Sequence, residues 1–167
     1  LAYTAQMITN ANSLENGYFT VSNSMEYYAK SDQLLAEFFT ETLNSAKVEI
    51  VNSNIAIDEV VFIVFHAGLG QDFSFPGLDP TIYDLKSAYI DEQMMDGIDP
   101  IMINQNDIAH EISSGILLPE TQNLIYYDVV EDIFGNPDYG TADLCEIQMG
   151  LTGVFALQLG YELGLPP

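Results

Sequence analysis

Apolar residues at Leu34, Leu35, Phe38, Phe39 and Leu43 recur at helical spacing, and Ser31 and Asp32 just before them carry oxygens suited to capping. The spacing predicts an amphipathic helix over residues 32 to 46. A different pattern occupies Val60, Val61, Phe62, Ile63, Val64 and Phe65, which are β-branched or aromatic without alternation. Such a run suits a strand buried on both faces, so a strand over 59 to 65 is expected at the centre of the sheet. Between these elements, residues 48 to 51 read as a short strand and 52 to 54 as a turn. Residues 1 to 30 read as one or two strands with loops. Residues 72 to 113 hold three prolines and several acids and read as irregular chain with one short strand near 87 to 90.

Residues 115 to 121 read as a strand leading into a turn. After it, Leu124, Tyr127, Val130, Ile133 and Phe134 fall on one helical face, and Gly135 stops the run. From 144 to 163 the chain is apolar nearly all round, as in a helix inside a domain, and its glycines imply close packing against other elements or a break near Gly150. Helix, strand, loops, strand and helix in this order imply an α/β domain with a mixed sheet, α+β being the alternative. A single domain over 1 to 167 is long enough to enclose a core.

The predicted central strand runs into His66, Ala67, Gly68, Leu69, Gly70, Gln71 and Asp72. Glycines there permit a tight exit from the strand, and neither their spacing nor a following lysine fits a phosphate-binding loop. A lone histidine at a strand end is expected to be a hydrogen-bonded structural residue, with metal ligation as the other reading. His110 with Glu111 is the second histidine beside an acid. Without another histidine nearby it does not make a zinc site. Cys145, the single cysteine, is expected to be a buried, inert thiol. Residues 136 to 143 are acidic and lack the twelfth-position glutamate of a calcium loop, so a solvated turn is expected.

The end of the chain, from Ala156 to Pro167, resembles the zinc helix of metzincin peptidases, H-E-x-x-H-x-x-G-x-x-H/D, in the secreted immune-inhibitor-A-type form that continues as G-L-P-D. Gly160 and Gly164, Leu165 and Pro166 sit in that register. The strand ending in His66, Ala67, Gly68 and Gly70 is similar to the H-A-G-x-G of the same family, and residues 79 to 87 resemble the segment after that motif in degenerate relatives. The resemblance, covering about 32 to 167, implies a secreted or extracellular peptidase-like domain, part of a longer protein, with a buried zincin-like helix. It also places Leu157 at the first histidine, Gln158 at the general base, Tyr161 at the second histidine and Pro167 at the third ligand. Leu and Pro offer no donor atom, a neutral amide takes no proton from water, and a lone Tyr is a poor zinc ligand, so no zinc is expected.

Charge narrows the partners. Twenty-five acids face three lysines, Lys30, Lys47 and Lys86, for a formal charge of -22. A nucleic-acid backbone needs clustered Lys and Arg, which this chain lacks. No apolar run approaches the roughly 20 residues of a membrane-spanning helix. Self-repulsion on this scale opposes compactness unless salt or divalent cations such as calcium screen it, so no cofactor is required, and association with itself or another protein is expected to tighten as salt or calcium rises. The expected function is therefore a catalytically inactive, metalloprotease-like domain with a structural or interaction role. The alternatives are a hydrolase built on His66 with Asp72 or His110 with Glu111, and a calcium-stabilised glycan- or protein-binding module.

Overall fold

The computed structural model describes residues 19–53, 55–74, 77–127 and 144–166. The predicted first helix is present as α2, Asp32–Ser45, preceded by the single turn α1, Met25–Tyr28. Ser31 caps α2 by accepting the Leu34 N–H at 3.2 Å. Its buried residues Leu35, Ala36, Phe38, Phe39 and Leu43 form the stripe that the spacing predicts. Glu41, on the same helix, accepts from the Tyr28 hydroxyl at 2.5 Å and from both Ser22 donors at 2.6 Å. Burial alone would raise the Glu41 carboxyl, but these hydrogen bonds outweigh it and hold the group below its usual range.

Residues 48 to 51 are not a strand. They belong to α3, Lys47–Asn52, whose Ile50 N–H reaches the Ala46 carbonyl at 3.0 Å and so continues helical bonding directly after α2. A short apolar run offers no strand without a neighbour to pair with, and here its local helical bonds are available at once. A 3-10 turn, Ile57–Glu59, leads toward the sheet.

Three strands form that sheet in the order β1, β5, β2: Ile63–Leu69, Gly115–Thr121 and Ala88–Ile90. β1 runs parallel to β5 with Ile63 opposite Ile116, and β2 runs antiparallel to it with Ala88 opposite Leu117. Helices with a mixed sheet make this an α/β or α+β fold. The centre, however, is β5 rather than the strand predicted over 59 to 65. Only 63 to 65 of that run lie in β1, which is an outer strand of this sheet: Val64 and His66 are buried while Phe65 between them is 52% exposed. An unbroken apolar run is compatible with burial on two faces but does not dictate it. β5, flanked on both sides, buries five successive residues from Gly115 to Pro119.

The two faces of β5 have different partners. Leu117, with Ala88 and Ile90 of β2, joins Phe38 and Phe39 of α2 in the core. Tyr89, opposite Ile116, points the other way and meets Tyr161 with ring centroids 6.3 Å apart. Tyr161 belongs to the last helix, α4, Thr152–Glu162.

Two further elements depart from expectation. β3, Ile101–Gln105, and β4, Ile108–Ile112, form a hairpin inside the stretch expected to be irregular. Asn106 and Asp107 link them with φ of 52° and 64°, the backbone of a two-residue type I′ turn, which Asn and Asp tolerate better than most residues. The helix expected from Leu124 onward begins instead as β6, Leu124–Tyr127, paired antiparallel with β7, Leu144–Ile147. β-branched and aromatic residues at 125 to 127 suit a strand once a partner is in reach. Val130, Ile133, Phe134, Gly135 and the acidic loop 136 to 143 lie outside the described residues. β7 also takes the first residues of the predicted long helix, whose break near Gly150 falls just ahead of α4.

α4 is not a buried helix. Its buried residues are Gln158 and Gly160, whereas Leu157 is 53% exposed. A short helix lying on the outside of a three-stranded sheet can turn only one stripe inward, however apolar its other sides. Among the described residues no helix is long and apolar enough to cross a membrane.

Candidate functional site

The positions singled out in the sequence fall at two places, the end of α4 and the loops beyond the ends of β1 and β5. At α4 the backbone accounts for the glycines. Gly164, at φ 84°, donates its N–H to the Tyr161 carbonyl at 2.9 Å, and the Leu165 N–H reaches the Gly160 carbonyl at 2.9 Å. This pair of bonds is the Schellman stop of a helix. Leu165 folds back over Gly160, so that a β-carbon at 160 would lie 3.1 Å from its Cδ1. Three of the four positions of the peptidase pattern lie among the described residues, and their surroundings differ. Leu157 faces solvent, Gln158 is buried, Tyr161 rests on Tyr89, and Pro167 lies outside the described residues. Glu162, one residue on, accepts from the Ser114 hydroxyl at 3.2 Å and ties α4 to the start of β5.

The carboxyl ends of the parallel strands β1 and β5 gather the second group, a usual place for a site in an open sheet. Gly68 takes φ 95°, and the chain then closes on β5 through the Gly70 N–H, 2.9 Å from the Thr121 carbonyl. A β-carbon at Gly70 would stand 2.7 Å from Pro119 and 2.9 Å from the Gln122 amide, so only glycine allows this approach. Asp72 comes next. One carboxylate oxygen accepts the Ser87 N–H at 2.6 Å and the other accepts from Gln122 Nε2, which also lies 2.7 Å from Ser87 Oγ. Asp79 does similar work in the next loop, accepting from Gln71 Nε2 at 2.7 Å and from the Thr81 N–H at 2.7 Å. Burial would raise the Asp79 carboxyl, but bonds from Ser74, Gln71 and Thr81 bring it below its usual range.

His66 is buried beneath these loops. Its Nδ1 stands 3.1 Å from the Ala67 carbonyl, which selects the Nδ1–H tautomer, and among the described residues its Nε2 has no hydrogen-bond partner. Burial pushes the imidazole below its ordinary value of 6.5, against the opposing pull of nearby carbonyls and of Asp84 and Asp72. Burial likewise raises Asp84 above its ordinary 3.8. Asp72 accepts from Ser87 and Gln122, whereas the hydrogen bond of the His66 ring runs to the Ala67 carbonyl. The cluster locks loops together.

Two measurements test that role. Removing Asp72 leaves the Ser87 N–H and the Gln122 amide to find new partners, both at buried residues. Asp72→Ala is expected to lower stability by about 1–3 kcal/mol, since exposed Asp72 leaves water some access. Asp72→Asn keeps the acceptor for Ser87 and is expected to cost less, as urea unfolding will report. For His66 the folded value lies below the unfolded 6.5, so the unfolded chain binds the proton first as pH falls. Stability from neutral His66 is present above 6.5 and is lost as pH falls from there toward the depressed folded value. The melting temperature of the wild type minus that of His66→Gln should therefore shrink across this window, a difference that cancels the titration of the acids.

The second histidine has another partner from the one its neighbour suggested. His110 Nδ1 lies 2.6 Å from the Asp58 carboxylate, across from the hairpin. Glu111, adjacent in sequence, is on the opposite face of β4 and pairs in register with Met102. Cys145 takes part in β7 through its backbone, opposite Tyr126, and its side chain lies outside the described residues. Asp58 and Gln122 carry no motif that marks them in the sequence, and Asp84 and Ser87 lie in the stretch 79 to 87 without a pattern that singles them out. They reach these positions only through contacts between segments distant along the chain. Comparison with protein-family models, with curated proteins and with solved structures finds no match.

Proposed function

We propose that the chain is a catalytically inactive domain, metalloprotease-like in its α4 and strand-end sequences, with a structural or interaction role in an extracellular protein or assembly. The exposure of Leu157 carries this reading. Where the peptidase pattern needs a metal donor facing a cleft, this helix turns a leucine to solvent, 53% exposed, and an apolar side chain there supports contact rather than metal chemistry. Leu144, Ile147 and Met149 on or just beyond β7, and Leu163 and Leu165 past α4, are also exposed. Apolar side chains displayed on neighbouring stretches suit burial against a protein surface. The acids supply the control: with a formal charge of -22, association is resisted until salt or calcium screens the approach.

Sedimentation in low-salt buffer with a chelator, repeated with calcium or raised salt, tests the reading. Association is expected to strengthen with either addition. Leu157→Glu should weaken it while leaving the melting temperature nearly unchanged, since the side chain stands in solvent. An equivalent of zinc in the purified protein, accompanied by proteolysis and lost with Tyr161→Phe, would overturn the proposal.

A further inference from the structure

The inner face of the β3–β4 hairpin changes character toward its turn. Ile101 pairs with Ile112 and Ile103 with His110, and Gln105 pairs with Ile108 next to the turn. The first pair and Ile103 are in the core. The remaining positions on that face are His110, Gln105 and Ile108, and they border a groove of about 460 Å³ between the hairpin, the end of α3 and the 3-10 turn. Ligand pockets for small molecules run from about 300 to 1,000 Å³.

The groove is lined by polar groups from three elements. His110 is fixed by Asp58 at 2.6 Å, and Gln105 by the hydrogen bond that its Nε2 donates to the Ile55 carbonyl at 2.7 Å. Asn52 and Asn106 complete the polar lining. Val51, Ile57 and Ile108 provide the apolar wall, with Ile108 59% exposed at the rim. We propose that this groove is a binding site for a neutral saccharide, its hydroxyls meeting the imidazole, carboxylate and carboxamides while the carbon face of the ring lies on the apolar wall.

Chemistry narrows the ligand. Carboxamide and carboxylate groups offer paired donors and acceptors at the spacing of adjacent hydroxyls, and the hydrogen bond to Asp58 fixes the orientation of the His110 ring. An anionic ligand would enter against a chain of formal charge -22. A metal ion is not served, since no group of three His, Cys, Asp or Glu among the described residues could hold one. This site is separate from α4 and does not depend on the peptidase resemblance.

Saturation-transfer NMR on the whole chain, with a panel of neutral mono- and disaccharides and with a uronic acid and an amino sugar as charged analogues, tests the site. A neutral sugar should receive saturation and shift the His110 ring resonances, and the uronic acid should do neither. Asp58→Ala and His110→Gln should each weaken binding about tenfold or more, while Glu111→Gln on the opposite face leaves it unchanged. Asp58 lies in an exposed turn, so its variant carries the comparison if His110→Gln fails to fold. Absence of binding by every neutral sugar, preference for the amino sugar, or binding that survives Asp58→Ala would overturn the assignment.

Discussion

Replacing Phe39 by Ala should lower the stability of the domain by about 3–5 kcal/mol, a large part of the roughly 5–15 kcal/mol that holds a typical domain folded. Phe39 has no exposed surface and stands in the core with Leu35, Leu43, Ile90 and Leu117. Its ring fills the space above Gly115, so truncation opens a cavity where α2 meets the first residue of the central strand. The strand cannot collapse into that space without leaving its register with β1 and β2. Urea unfolding of Phe39→Ala should show a lower midpoint, and Phe39→Leu a smaller loss. An unchanged midpoint in Phe39→Ala would mean that α2 does not anchor this sheet.

Gly115→Ala is the reciprocal experiment and should cost about 1–3 kcal/mol by overpacking. The added carbon would lie 2.2 Å from Phe39 Cζ and 2.9 Å from the Phe62 carbonyl oxygen. That oxygen accepts the Ile116 N–H at 2.9 Å, so moving it disturbs the bond that starts the β1–β5 pairing. Since one ring causes most of the crowding, the two substitutions should not add. The double variant Phe39→Ala with Gly115→Ala is expected to lose less than the sum of the two single losses, by about 0.5–3 kcal/mol. Strict additivity in the same unfolding assay would show that the backbone contact at Phe62, and not the ring, sets the cost at Gly115.

α2 is legible in the sequence because two independent signals agree on it, the capping oxygen of Ser31 and the recurrence of Leu35, Phe38, Phe39 and Leu43. β5 is legible from a compact apolar run. Pattern alone misplaces the sheet centre because Val60 to Phe65 and Ile116 to Leu118 are equally apolar, and only pairing decides which run has neighbours on both sides. β3 and β4 are readable in principle. Ile101, Ile103 and Gln105 alternate with exposed Met102 and Asn104, and Asn106 with Asp107 is turn chemistry, but the prolines and acids before the hairpin obscure the alternation.

For the sites, periodicity has little to offer. Gly160 and Gly164 fit both a peptidase pattern and a helix stop, and their hydrogen bonds are those of the stop. His66 and Asp72 are close in the sequence and sit at one strand end. The partners of Asp72, Ser87 and Gln122, come from 15 and 50 residues away, a distance no local pattern spans.

The close approach of Gly70 to β5 has a consequence for how this end of the molecule opens. The Gly70 N–H is held by Thr121, the Gln71 N–H by the Leu85 carbonyl at 3.1 Å, and the Ser87 N–H by Asp72. The loop at 70 to 72 cannot leave without releasing both of the others, because it supplies the donors and the acceptor that they use. The amide protons of Gly70, Gln71 and Ser87 therefore belong to one cooperative opening unit and exchange with solvent deuterium at a common opening free energy, although the chain between them is loop.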